Sequence, residues 1–118
     1  PAPKDYASLS EDTIGVSDSE YTEPIDIVIE TLNPKVHGLI ATKKFHKSQK
    51  LMEDFHYDAA KGYSHGTVKI HVRPTPEMYG RILYYSDGVI VMKPKEIKKI
   101  YFQKLQKTYK LNLKNGNN

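Results

Sequence analysis

The hexapeptide FHKSQK at residues 45–50 places a histidine and a serine two positions apart, with a glutamine beside them. Serine hydrolases use such a pair as general base and nucleophile. They also need an acid that orients the histidine, and their serine usually sits on a tight turn beside an oxyanion hole. No evident acid partner or glycine turn accompanies Ser48 in the sequence. We therefore expect the hexapeptide to form a turn or a contact surface, and the protein to have no enzymatic activity.

Metal binding is the second chemistry that the histidines suggest. The five histidines are separated by 9, 10, 9 and 6 positions, and the chain has no cysteine. These separations match none of the common ligand spacings. Glycine-rich phosphate-binding patterns are absent from the sequence as well. The sequence thus predicts scattered surface histidines, no metal site and no bound cofactor.

Charge is distributed unevenly along the chain. Residues 1–30 carry one lysine and eight acidic residues, a net charge of −7, whereas residues 31–118 carry 17 basic and 6 acidic residues, a net charge of +11. The basic excess fits an anionic partner such as nucleic acid, although basic residues on a small domain are more often a solvated surface. The candidate ligand-binding or interdomain contact residues are His46, Lys47, Ser48, Gln49 and Lys50. A secondary basic surface consists of Lys43, Lys44, Arg73 and Arg81.

The composition limits the class of protein and its location. A chain of 118 residues, 38% hydrophobic and 27% charged, is typical of one soluble domain. The sequence holds no apolar run of membrane-spanning length and no secretory signal. Its lack of cysteine suits the cytoplasm. Because the first residue is proline, we expect a piece of a longer cytoplasmic protein with no membrane partner.

Alternating apolar residues predict the strands that must position these side chains. Residues 25–31 (IDIVIET) and 67–73 (TVKIHVR) alternate with the period of a strand that is covered on one face. A weaker pattern and a short apolar run indicate two further strands. The predicted strands span residues 25–31, 49–56, 66–73 and 89–93.

Capping signals predict the helices. Asn33 before Pro34, and Thr75 before Pro76, place an N-cap residue ahead of a proline at the first helical position. Gly88, or the residue before it, is the expected stop of the second helix. The predicted helices span residues 34–44, 76–86 and 95–110, the last of them amphipathic.

The resulting order, strand-helix-strand-strand-helix-strand-helix, predicts an α+β fold. It is the order of a ferredoxin-like split βαβ sandwich with an added C-terminal helix. This fold serves enzymes, metal carriers, RNA-binding domains and regulatory domains, so it names no function. RNA-binding members stack bases on aromatic residues of the central strands, and residues 67–73 contain no Phe, Tyr or Trp. We expect the aromatic residues Tyr84, Tyr85, Tyr101 and Phe102 at core edges or in a subunit contact.

A string of short motifs carries a family resemblance. It comprises TEPIDIVIETLNPKVHGLI, the FHKSQK turn, GTVKIHVRPTPEMYGRILYYSDGVIVMKPKEIKK and the closing QKTYK. Together they resemble the C-terminal extension, or WCX domain, of the WYL-domain transcriptional regulators of bacteria. The family pattern falls on His46, Ser48, Gln49, Gly88, Val89, Val91, Pro94, Ile97 and Tyr109. TIGV at residues 13–16 resembles the stretch that links the WYL barrel to this extension. The chain departs from the pattern at Lys47, where proline is common, at Lys93, where an acid is common, and in the last helix, where Lys98 or Lys99 replaces a common arginine.

The resemblance implies a non-catalytic regulatory and dimerisation domain that transmits effector binding to an N-terminal winged-helix DNA-binding domain. The implied partners are WYL and winged-helix domains of the same polypeptide, a second copy in a homodimer, and a nucleic-acid or nucleotide effector. Residues 1–24 would be an acidic linker from the WYL domain, residues 25–111 the WCX-like domain, and residues 112–118 a disordered tail. The FHKSQK residues then either hold a helix-to-strand corner or face a ligand or partner domain. The alternative is a free-standing ferredoxin-like domain that binds nucleic acid or a small ligand, which the basic charge alone supports.

Overall fold

Four β-strands and three α-helices make up the part of the chain that the structure describes, residues 12–15 and 19–116 of a computed structural model. The strands are β1 (Ile25–Thr31), β2 (Lys50–Asp58), β3 (Tyr63–Val72) and β4 (Val89–Lys93). The helices are α1 (Pro34–Thr42), α2 (Pro76–Leu83) and α3 (Lys95–Gly116). The predicted α+β class is confirmed.

The four strands form one antiparallel sheet in the order β2-β3-β1-β4. The pairing of β1 with β3 lies at its centre, where Ile27 is opposite Ile70 and Ile29 is opposite Val68. This arrangement is compatible with a ferredoxin-like fold. β2 and β4 are the two edge strands, and each pairs with one neighbour within the described chain.

The core forms on one face of this sheet because the apolar residues of β1 and β3 alternate with polar ones. Helices α1, α2 and α3 add Ile40, Ile82 and Ile97, each of which is fully buried. Burying a side chain of this size contributes about 1.5–3 kcal/mol. The core cluster consists of Ile14, Ile27, Ile29, Ile40, Phe45, Val68, Ile70, Val72, Met78, Tyr79, Ile82, Val89, Val91, Ile97 and Tyr101.

Both predicted N-caps are confirmed. The Asn33 side chain accepts a hydrogen bond of 2.8 Å from the Val36 N–H, and the Thr75 hydroxyl accepts one of 3.1 Å from the Met78 N–H. The helix ends differ from prediction. Helix α1 ends two residues earlier than expected, and α2 ends at Leu83, so the predicted stop near residue 88 is wrong. A 3-10 turn over Ser86–Gly88 follows α2. Ser86 has a φ of 55°, a left-handed conformation that does not occur inside a right-handed helix.

The segment that precedes β1 contributes to the core. Residues 1–11 and 16–18 of the predicted linker lie outside the described residues. Ile14 is buried, and its carbonyl accepts a hydrogen bond of 2.9 Å from the Thr75 hydroxyl. The Arg73 N–H donates to the Asp12 carbonyl at 2.6 Å. Residues 12–15 therefore pack onto the fold.

At the other end, α3 continues through residues 112–116 of the predicted tail, and residues 117–118 lie outside the described chain. None of the helices described here is both long and apolar enough to cross a lipid bilayer.

Two glycines give opposite expectations on substitution by alanine. A Cβ on Gly66 would lie 2.5 Å from the His37 ring and 2.9 Å from the Thr31 hydroxyl, two groups that share a buried contact of 2.8 Å. Gly66→Ala should therefore lower the free energy of unfolding by about 1–3 kcal/mol through overpacking. Gly38 lies inside α1 with no atom within 4 Å of an added Cβ. Gly38→Ala should raise stability by about 0.5–1 kcal/mol.

Urea titration followed by circular dichroism measures both changes. A stabilising Gly66→Ala would show that the space beside His37 is larger than the structure gives.

Candidate functional site

The FHKSQK hexapeptide forms the corner between α1 and β2. The Ser48 N–H donates a hydrogen bond of 3.1 Å to His46 Nδ1, so this nitrogen is an acceptor and the neutral ring carries its proton on Nε2. The Ser48 hydroxyl lies 2.8 Å from the same Nδ1 and donates to it. Its oxygen accepts a hydrogen bond of 2.9 Å from the His71 N–H of β3. The structure thus brings His46 and Ser48 together and connects them to the sheet.

Gln49 holds the same corner from the inside. It is 7% exposed, its Oε1 accepts a hydrogen bond of 2.9 Å from the Phe45 N–H, and its Nε2 donates one of 3.0 Å to the Ile40 carbonyl at the end of α1. Both ends of the amide are therefore engaged by the backbone. Lys47 and Lys50, the other two residues of the predicted contact, have exposed side chains.

The secondary basic residues divide into two places. Arg73 binds Asp12, with its Nε and one terminal nitrogen each 3.0 Å from Oδ1. Lys43, Lys44 and Arg81 instead line one depression of about 670 Å³, beside Phe45, Tyr84 and Tyr85. We call these six residues the basic groove.

The basic groove combines cations with aromatic rings. Tyr84 is 80% exposed, and its ring lies 5.3 Å from that of Tyr85 in an edge-to-face contact. Tyr85 in turn makes an edge contact of 5.7 Å with Phe45. Ile14, Gly15 and the carboxylate of Glu77 complete one side. Lysine and arginine attract phosphates, and exposed rings stack on planar groups, so this chemistry suits a nucleotide-like anion.

A second polar cluster lies on the β2–β3 hairpin, among histidines that the sequence analysis treated as scattered. One ligand atom from each of Glu53, His56, Asp58 and His65 lies within 4.8 Å of the others. His56 Nε2 is 2.9 Å from Glu53 Oε2, and His65 Nε2 is 2.9 Å from Asp58 Oδ2. The contact with Glu53 raises the pKa of His56, and the contact with His65 lowers the pKa of Asp58. The only available signal was the cross-strand pairing of His56 with His65, which chain spacing does not show.

An apolar surface lies along edge strand β4 and helix α3. Val89 and Val91 from the strand, and Tyr101, Phe102 and Leu105 from α3, line a depression of about 480 Å³. Its rim carries three lysines of α3, Lys95, Lys98 and Lys99. We call this surface the apolar groove.

No protein-family model matches the chain, and no curated protein matches it either.

The Gln49 side chain provides a test of the corner. Gln49→Ala would leave the Phe45 N–H and the Ile40 carbonyl without their buried partner. Leaving buried groups unsatisfied costs about 1–3 kcal/mol, so the free energy of unfolding should fall by that amount. Lys50→Ala, at an exposed neighbour, should change stability by less than about 0.5 kcal/mol. Equal values for the two variants in urea denaturation would contradict the role given to Gln49.

Proposed function

We propose that this chain is the C-terminal regulatory extension of a WYL-type bacterial transcription regulator. In this role it has a ferredoxin-like fold and no catalytic site. It contacts an anionic effector, pairs with a second copy, and passes the effector signal to a winged-helix DNA-binding domain of the same polypeptide. The motif string supports the family, and the strand order β2-β3-β1-β4 supports the fold.

The observation that carries the proposal is the composition of the basic groove. Its walls come from the segment that follows α1, from α2 and its following turn, and from residues Ile14 and Gly15. Those two residues belong to TIGV, the stretch that resembles the link from a WYL barrel. A preceding domain would therefore enter beside the three cations, where an effector held by that domain can reach them.

The corner geometry supports a non-catalytic role for FHKSQK. The Ser48 oxygen accepts a hydrogen bond from the His71 N–H, and its hydroxyl faces His46. The Ser48 side chain therefore connects the corner to β3. Both ends of the Gln49 amide are hydrogen-bonded to backbone groups. The exposed lysines on either side of this corner remain the groups that an anion would meet.

The proposed dimer contact is the apolar groove, occupied by a second copy of the chain. The strand β4 has an unpaired edge among the described strands, and such edges are sites of strand addition. Helix α3 contributes Phe102 and Leu105, which are 58% and 36% exposed, and extends the surface with Tyr109, which is 66% exposed. Two copies related by a twofold axis would each offer a groove and an apolar helix face, so one contact covers both.

Charge reversal in the basic groove tests the effector contact. Lys44→Glu with Arg81→Glu should weaken binding of labelled single-stranded oligonucleotides and lower the salt dependence. Each lost phosphate contact removes about 0.7 from the slope of log affinity against log salt. Lys107→Glu with Lys110→Glu makes the same charge change on the exposed face of α3 and should have much less effect. Fluorescence anisotropy at two salt concentrations measures both.

Equal losses in the two double variants would mean diffuse charge attraction without a site. Tight binding by a monomeric wild-type chain would favour the free-standing nucleic-acid-binding alternative.

Light scattering tests the dimer. The isolated chain should have the mass of a dimer, and Phe102→Glu should shift it to a monomer, because a buried carboxylate opposes the apolar contact. Met52→Glu is the matched control, since Met52 is 52% exposed on β2, the other edge of the sheet. A dimer that survives Phe102→Glu, or dissociates equally with Met52→Glu, would place the contact elsewhere.

A further inference from the structure

The four-residue cluster of Glu53, His56, Asp58 and His65 on the β2–β3 hairpin depends on a local irregularity in β2. Glu53 and His56 are three positions apart, so in a regular strand their side chains would point to opposite faces of the sheet. The register of β2 against β3 shifts between these two residues, and a shift of this kind re-aims side chains. Their side-chain atoms consequently lie 2.9 Å apart. His65 is the cross-strand partner of His56, and the two rings are 5.2 Å apart.

We propose that Glu53, His56, Asp58 and His65 bind one divalent transition-metal ion, with zinc as the best match. Two imidazole nitrogens and two carboxylate oxygens are donors that zinc accepts in four-coordinate sites. Metal–ligand bonds of about 2.0–2.2 Å place neighbouring donor atoms about 3.3–3.6 Å apart. The four atoms already lie within 4.8 Å of one another, so small side-chain rotations would gather them.

The charges balance on metal binding. Each histidine nitrogen faces one carboxylate oxygen at 2.9 Å, an arrangement in which the two groups share a proton. The ion would take the proton's place at each of these histidine nitrogens, because histidine binds metal as the neutral ring and carboxylates bind ionised. A ring that carries two protons releases one to solvent, whereas a ring that carries one proton keeps it on Nδ1. Two carboxylates neutralise the ion, so the filled site carries no net charge.

The environment of His65 supports the metal site independently of the four-residue cluster. The side chains of His65 and Glu30 are each 1% exposed, and His65 Nδ1 faces Glu30 Oε1 at 3.5 Å. Neither atom has a hydrogen-bond partner, although both are buried. Metal-bound histidines usually donate their second ring N–H to a carboxylate, which leaves the other nitrogen free for the metal. A closure of about 0.5–0.7 Å would form that bond at the usual N–H···O distance, and Glu30 is thereby a positioning residue for His65.

The site is accessible from one side. The Glu53 and His56 side chains are 49% and 46% exposed, whereas Asp58 is 22% exposed and His65 is closed off. An ion would arrive at the exposed pair and reach the buried histidine behind it. Bound there, it would fasten edge strand β2 to the central strand β3. It would act on the hairpin, away from the basic groove.

Isothermal titration of the tag-free chain with zinc chloride, after removal of bound metal with a chelator, tests the proposal. One equivalent of zinc should bind, and cobalt should give the intense visible absorption of a four-coordinate site. His56→Ala should weaken zinc binding by at least about tenfold, and Glu30→Gln by about 10–100-fold, the range seen for outer partners of metal ligands. His56 is half-exposed, so its variant should keep the fold, which circular dichroism verifies.

His71→Ala is the matched control. His71 Nδ1 lies 2.8 Å from Asp26 Oδ1 on the surface, so it forms the same kind of pair without the second histidine and carboxylate. This variant should bind zinc as the wild type does. Absence of saturable one-to-one binding by the wild-type chain would overturn the proposal, as would equal weakening by His71→Ala and His56→Ala. An unchanged cobalt spectrum and affinity in Glu30→Gln would remove Glu30 from the site.

Discussion

The central pairing of β1 with β3 decides which side chains of this protein can meet. Ile27 opposite Ile70, and Ile29 opposite Val68, face the helices and are almost fully buried. The alternate residues of both strands face the other way. A slip of one residue would exchange these two sets and place polar groups in the core, so the apolar pattern holds the register. The Glu30 side chain of β1 and the β3 backbone that meets Ser48 are placed by that register.

The face away from the core acquires its own buried polar groups through the β2–β3 hairpin. Glu30 is opposite Thr67 in the register, on the polar side of β1, yet it is 1% exposed. Removing a carboxylate from water is costly unless partners compensate. Lys61 supplies one from the hairpin, 3.3 Å from Oε2, while His65 Nδ1 faces Oε1 at 3.5 Å without a hydrogen bond. The same fold of the hairpin that buries Glu30 assembles the four-residue cluster.

Local signals in the sequence were sufficient for the elements and for the helix starts. The alternation in β1 gave its bounds, and Asn33 and Thr75 gave the starts of α1 and α2, because an N-cap acts within three residues of itself. The register shifts in β2 depend on its pairing with β3, which no local pattern encodes. His56 and His65 therefore appeared as scattered residues in the sequence. Ile14 was assigned to a linker for the same reason, since its core partners are distant in the chain.

The corner at FHKSQK has a physical consequence for the proposed regulatory role. Gln49 hydrogen-bonds the corner to the last turn of α1, and Ser48 hydrogen-bonds it to β3. The lysines before and after the corner therefore lie on a segment that is held at two places. A regulatory signal requires two arrangements whose balance a ligand shifts. Melting this corner would break the two buried hydrogen bonds of Gln49, each of them costly to leave unmade. In the proposed role, an effector that binds at the basic groove would therefore act by moving the whole domain against its neighbours, in the manner of rigid-body switches, and the corner would transmit force without rearranging.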